Sequence, residues 1–314
     1  MKGRVTKSTG SWYSVDLENG ESLEARIKGK FRTQGIKSTN PVAVGDRVDV
    51  ELEEGLDTGV IGAIYDRSNY IVRKSVNLSK RTHILAANID QALLVATLNY
   101  PKTYTAFIDR FLVTAEAYDI PAVIVFNKID LLNDEEVEEL AYLMALYENI
   151  GYEVLGTVAT KGRGIKDLKD LLHDCVSLVS GNSGVGKSTL INQVDPNLDL
   201  KTTEISGAFE VGQHTTTFAE MFRLADGGYI IDTPGIKGFG VVDMDKYEIT
   251  DYFPEMFDLK HECKFNNCLH QDEPKCAVKA AVEAGEIAYS RYRSYLSLVN
   301  GDEDSSPYRE DEYK

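Results

Sequence analysis

The chain has 314 residues, 43% of them apolar, and a formal net charge of −16, which is material for a sizeable core in two or three domains. A phosphate backbone repels so negative a chain on average, which excludes a simple nonspecific nucleic-acid clamp, and four cysteines with no secretory signal disfavour a disulfide scaffold. The longest apolar run lies near residues 92–98, too short for a membrane span, and Met1-Lys2-Gly3-Arg4 leads into no signal-peptide core, so a cytoplasmic protein with reduced thiols and no membrane partner is expected.

Residues 1–75 read as a small all-β barrel. Alternating runs (Tyr13, Val15, Leu17; then Val48, Val50, Leu52) are broken by Asn19-Gly20, Gly45-Asp46 and Glu54-Gly55, the spacing of short strands and tight turns. OB-type and SH3-like barrels both satisfy this pattern. Residues 1–81 hold 14 Lys/Arg against 11 Asp/Glu, a net of +3, so the remaining 233 carry −19. Lys28, Lys30, Arg32 and Lys37 gather around one polar loop, and Trp12 and Tyr13 lie in another turn-rich stretch. Basic grooves with aromatic platforms are how OB barrels hold single strands, so the domain is expected to bind RNA. For any one of these residues, a solvated basic loop or a barrel-core aromatic is the plainer alternative.

Residues 76–245 alternate apolar runs with helical patterns over 105–118 and 134–149, as an α/β domain does. The run 122–126 ends on Asn127-Lys128-Ile129-Asp130. A carboxylate at 130 accepts from both the ring N–H and the exocyclic amine of guanine, whereas adenine has no ring N–H to offer. Val158-Ala159-Thr160-Lys161-Gly162 follows. After the apolar run 176–179 comes Gly181-Asn182-Ser183-Gly184-Val185-Gly186-Lys187-Ser188, with a helical pattern from about Thr189. The glycines let the backbone N–H groups turn inward at phosphates, Lys187 adds a point charge, and Ser188 offers a hydroxyl to Mg²⁺. Further on, Asp232 ends the run 229–231, placed to hold Mg²⁺ through water, and Gly235 can bring an N–H to a γ-phosphate. Between the phosphate motifs lies His214-Thr215-Thr216-Thr217, where Thr216 is the expected Mg²⁺ hydroxyl. Position 236 is Ile, where many GTPases carry a water-positioning Gln; either His214 takes that role or it is a solvated loop side chain.

Cys263, Cys268, His270 and Cys276 follow one another at intervals of four, one and five residues. Three thiols and an imidazole complete a closed tetrahedral Zn²⁺ site, and the polar intervals between them cannot form a core of their own. Disulfides compete, but Cys175 is remote and the compartment reducing. Residues 277–299 read as one or two helices, and 301–314 as an acidic disordered tail.

The guanine-reading motif precedes the phosphate loop, the reverse of the ordinary order, which marks a circular permutation. With His214-Thr215-Thr216-Thr217, the Cys-Cys-His-Cys cluster and Asp109-Arg110-Phe111-Leu112, the chain resembles the ribosome small subunit-dependent GTPase A family over nearly its whole length. The resemblance implies an N-terminal OB-fold (1–75), a circularly permuted P-loop GTPase domain (76–245) and a C-terminal helical zinc domain (246–300), ahead of the tail. It also implies GTP and GDP as nucleotides, Mg²⁺, one structural Zn²⁺, and a monomer whose hydrolysis is stimulated by the small ribosomal subunit and its rRNA. Two positions depart from the family pattern: Val158 stands where Ser is usual, and Gln213 where Arg is usual. A P-loop phosphotransferase acting on a small molecule is the alternative; it requires a second substrate pocket and a cationic lid, where the sequence has a base-specific motif and two appended modules.

Overall fold

The computed structural model describes residues 1–28, 41–74, 82–198, 200, 219–232 and 244–301. Five strands open the chain: β1 (Lys2–Ser8), β2 (Tyr13–Leu17), β3 (Ser22–Ile27), β4 (Arg47–Leu52) and β5 (Thr58–Ile64). Antiparallel ladders join β1 to β2, β2 to β3, β4 to β5 and β1 to β4, and a parallel ladder joins β3 to β5. The sheet therefore closes in the order 1-2-3-5-4-1. Exchanging β4 and β5 turns a meander into a Greek key, which is the OB connectivity and settles the choice between the two barrels. Val5, Tyr13, Val15, Ala25, Val48, Val50 and Ile61 fill the interior, the inward half of each alternating run. Tyr13 is thus a core residue at 1% exposure, and of the two aromatics expected as a platform only Trp12, at 40%, faces solvent.

β6 (Tyr70–Lys74) and β7 (Thr82–Ala87) form a separate antiparallel pair. Then follow β8 (Gln91–Ala96), α1 (Thr105–Ala117), β9 (Ala122–Phe126), α2 (Asp134–Ile150), β10 (Glu153–Gly156), α3 (Ile165–Leu172), β11 (Val176–Ser180) and α4 (Lys187–Val194). Helix α2 begins at an Asn133–Glu136 capping box and stops at Gly151 in the left-handed region. Next are β12 (Glu220–Arg223), β13 (Tyr229–Asp232), and the C-terminal helices α5 (Pro254–Phe257), α6 (Ala277–Ala284) and α7 (Tyr289–Asn300). The 277–299 stretch is two helices because Gly285 caps α6 at φ +77°. Among the described residues no helix is long and apolar enough to cross a membrane.

The chain forms two compact units, one of Met1–Leu93, Ile165–Ser180 and Gly186–Ile236, the other of Leu94–Gly164, Gly181–Val185 and Lys237–Lys314. In the first, β11 runs parallel to β13, β12 lies antiparallel beside β13, and β12 meets the barrel at β1, where Lys7 pairs with Glu220 at 2.9 Å. Strand β12 is missed by periodicity because Glu-Met-Phe-Arg is too short to show alternation.

In the second unit β9 and β10 are parallel, and α1 and α2 share a buried charge network with α5 and α7. Arg291 on α7 donates to Asp109 Oδ1 on α1 at 2.9 Å and grips Glu255 on α5 through Nε (2.7 Å) and Nη2 (3.1 Å). Tyr147 on α2 and Ser294 on α7 donate to the same Asp109 carboxylate. Phe253, under the guanidinium at 4.6 Å, belongs with Val113, Ile249, Met256, Val278 and Tyr295 to the apolar core beside the network.

Candidate functional site

β9 is buried along its whole length and delivers Asn127 and Lys128 at its carboxyl end, Lys128 in the left-handed region at φ +62°. Asn127 is 4% exposed. Its Nδ2 donates to Val185 O at 2.9 Å, and its Oδ1 accepts from Ala159 N and Thr157 Oγ1, both at 3.1 Å. Lys128 Nζ donates to Gly184 O at 2.5 Å and Tyr100 O at 2.8 Å. The two residues therefore tie the base-reading loop to the phosphate loop through side chains. Asp130, by contrast, keeps its carboxylate at the surface, 2.8 Å from Lys161 Nζ. The lysine's hydrogen bond and charge hold that carboxyl below its ordinary value, so it is ionised and able only to accept, as reading guanine demands.

Gly181 lies at φ +141°, and a Cβ there would stand 2.2 Å from Val95 O, so no other residue lets the loop leave β11 so close to β8. Gly186, at φ +100°, caps α4, and Lys187 and Ser188, both buried, fill its first turn. The helix begins at Lys187, two residues earlier than the sequence pattern suggests. Asn182, Ser183, Gly184 and Val185 complete the loop in the second unit, while Thr189 continues α4 in the first. Asp232 closes β13; its side chain, and all of His214, Thr216 and Gly235, lie outside the described residues. So do Lys30, Arg32 and Lys37, while Lys28 pairs with Glu51 at 2.9 Å.

The four ligand atoms of Cys263, Cys268, His270 and Cys276 all lie within 4.8 Å of one another. Cys263 Sγ is 3.9 Å from Cys276 Sγ and 3.6 Å from His270 Nδ1, and Nδ1 is 3.2 Å from Cys276 Sγ. Bonds of about 2.3 Å to sulfur and about 2.0 Å to nitrogen give tetrahedral edges of about this length, so the cluster fits Zn²⁺ with Nδ1 as the imidazole ligand. Burial pushes the Cys268 thiol up to about 12 and lowers the His270 pKa, so the ring is suited to bind as a neutral ligand and a bound cation would be what holds the buried Cys268 sulfur as a thiolate. Cys276 caps α6, and its sulfur accepts from Lys279 N at 3.4 Å, a donor suited to a thiolate.

The family model described as RsgA GTPase matches residues 64–242, and that described as RsgA N-terminal domain matches residues 2–61. The chain belongs to the RsgA GTPase family. The Small ribosomal subunit biogenesis GTPase RsgA of Christiangramia forsetii is 62% identical over 100% of both chains, and that of Bacteroides fragilis is 54% identical over 98% of this chain and 99% of its own. Among solved structures, YjeQ from Thermotoga maritima covers 96% of this chain and 97% of its own at 36% identity and TM-score 0.80. YloQ, described as a circularly permuted GTPase, covers 96% and 95% at 31% identity and TM-score 0.76.

Membership in the RsgA GTPase family makes the chain a circularly permuted GTPase whose nucleotides are GTP and GDP, with Mg²⁺ as the hydrolytic ion and one structural Zn²⁺. In the second unit the glycine-lined loop and the ionised Asp130 suit such a nucleotide. Sequence reasoning missed Thr157, and it named Lys161 within the 158–162 segment without its contact to Asp130. Only the fold shows that the two touch Asn127 and Asp130.

Proposed function

We propose that this chain is an assembly factor acting late in maturation of the small ribosomal subunit, with GTP hydrolysis stimulated by that subunit. The observation that carries the reading is the Asn127 brace to Val185 and Ala159, because it joins a guanine-reading loop to a phosphate loop that follows it in the chain. The relatives' names, each a small-subunit biogenesis GTPase, support the partner. We take the working parts to be an RNA-binding barrel at 1–75, the GTPase at 76–245, the zinc domain at 246–300 and a tail at 301–314, in a cytoplasmic monomer that contacts rRNA.

In this reading Asp130 selects guanine, with Asn127 and Lys128 holding the loop that carries it. The amides of Gly181, Asn182, Ser183, Gly184, Val185 and Gly186, with the Lys187 ammonium, take up the charge that grows on the phosphates. Ser188, Thr216 and Asp232 would hold Mg²⁺, which would supply positive charge to offset that of the phosphates. Gly235 meets the γ-phosphate through its N–H, Thr189 continues the helix behind the loop, and His214 orients the attacking water. No side chain at position 236 does so, since that of Ile236 has no polar atom.

The test is GTP hydrolysis by the full chain with and without purified small ribosomal subunits. A slow intrinsic rate that rises by orders of magnitude with subunits is expected; an equal rate in both would overturn the partner while leaving the GTPase.

A further inference from the structure

Away from the nucleotide site, a cavity of about 640 Å³ opens in the first unit where β1, β2 and β4 of the barrel meet β12 and β13. Its volume lies in the range of ordinary ligand pockets. Four cations line it: Lys2, Arg4, Arg47 and Arg223. Arg4 and Arg47 stand directly opposite each other on the β1–β4 ladder. Like charges so placed destabilise a sheet. Among the described residues none of the four has a carboxylate within ion-pair distance. Burial and Arg47 together push the Arg4 pKa down, and Tyr229 and Asp90 only partly offset them.

Two tyrosines complete the wall. Arg4 lies 5.2 Å over the Tyr229 ring and Lys2 lies 5.6 Å over the Tyr65 ring. Asp16, the nearest acid in the wall to Tyr229, already accepts from Ser22 at 2.7 Å and from the Tyr229 hydroxyl. Glu18 and Asp66 stand at the exposed margin. Guanidinium groups with no ion-paired carboxylate, beside an aromatic ring, match one kind of ligand well: a phosphate with a base attached.

We propose that this cavity holds a phosphate and an adjoining base of a single RNA strand, with Arg4 and Arg47 on the phosphate and Tyr65 as the stacking surface. The proposal rests on the RNA-binding reading of the barrel and assigns it a location distinct from the polar loop near Lys28. Its recognition is of backbone charge and a π-face, so it is tolerant of sequence.

The test uses the full chain and a labelled single-stranded RNA of roughly ten nucleotides, a length an OB barrel covers. Binding is measured over a range of salt for the parent, Arg4→Gln, Arg47→Gln and Tyr65→Ala. Each arginine substitution should lower affinity and reduce the slope of log affinity against log salt by about 0.7, the value for one single-strand phosphate contact. Tyr65→Ala should weaken binding about tenfold with the slope unchanged, as loss of one stacked base does. Melting temperature separates recognition from folding: relief of the Arg4–Arg47 repulsion should hold or raise it in both arginine variants. A variant that loses melting temperature together with affinity makes the arginines structural and overturns the proposal. Unchanged affinity and slope in both arginine variants, with RNA bound by the parent, overturns this pocket alone. A parent that binds no RNA overturns the barrel reading as well. Uridine monophosphate competing as strongly as the strand would make the pocket a free-nucleotide site and overturn the RNA assignment.

Discussion

Asn127 Nδ2 and Val185 O are 2.9 Å apart, although 58 residues separate them in the chain. With Ala159 N on its other amide atom, Asn127 spans three segments that a nucleotide must meet together. These contacts set the spacing of the loops on either side of it.

Asn127→Ala should therefore weaken GTP and GDP equally, without changing which base is taken. It leaves the Val185 carbonyl and the Ala159 N–H unpaired in a buried place, at about 1–3 kcal/mol for such a group, or about ten to a hundredfold in affinity. Asp130→Asn should instead change the base: an amide donates where the carboxylate only accepts, so xanthine nucleotides gain on guanine. Competition among GTP, XTP and ATP distinguishes the two, and a parent that binds ATP as well as GTP would remove Asp130 as the reader.

Much of this site was legible in the sequence because phosphate and base recognition depend on local motifs, whose strand-end positions followed from the apolar runs before Asn127 and Gly181. The barrel was legible from alternation and turns, but its connectivity was not, since the exchange of β4 and β5 is a matter of long-range pairing. Tyr13 shows the limit on individual side chains: beside Trp12 in a turn-rich stretch it looks available, yet the alternation with Val15 and Leu17 turns it inward. The Arg291 network was illegible because Asp109 and Arg291 lie 182 residues apart, and helical periodicity places each on a helix without saying which helices pack together.

That network makes a stability prediction. Arg291 and Asp109 have no solvent exposure, and removing one partner leaves the other charge buried, a loss of about 3–5 kcal/mol. Arg291→Met should lower the urea midpoint of the full chain by a corresponding amount. The double change Arg291→Met with Asp109→Leu should recover part of it, because no unpaired charge then remains at that position. An unchanged midpoint in the single variant would show that Asp109 and Glu255 are already satisfied without the guanidinium.

Removal of metal acts on the C-terminal helices first. Cys263→Ser, Cys268→Ser, His270→Ala or Cys276→Ser should each reduce zinc content and speed proteolysis between residues 254 and 300, while nucleotide binding persists. Cys263, Cys268 and Cys276 border the same apolar core as Val278 and Tyr295, so the ion and that core stabilise each other. Cys175→Ser should change neither quantity. Elemental analysis that finds a full complement of zinc after loss of two ligands would refute the site.

The mechanism gives the last prediction. With Ile236 where other GTPases position water by Gln, the proposed mechanism has the isolated chain hold phosphate charge through Lys187 and the loop amides without orienting the nucleophile. Orientation by a bound subunit is then the missing contribution, and positioning alone can supply several powers of ten in rate. His214→Ala should remove most of the subunit-stimulated rate and leave GTP affinity nearly unchanged, because the imidazole acts on water and not on the nucleotide. Lys187→Ala should lower affinity and both rates, since its ammonium serves ground and transition states alike. Single-turnover hydrolysis with and without subunits separates binding from chemistry. Full stimulation in His214→Ala would move the orienting group to another side chain or to the ribosomal RNA itself.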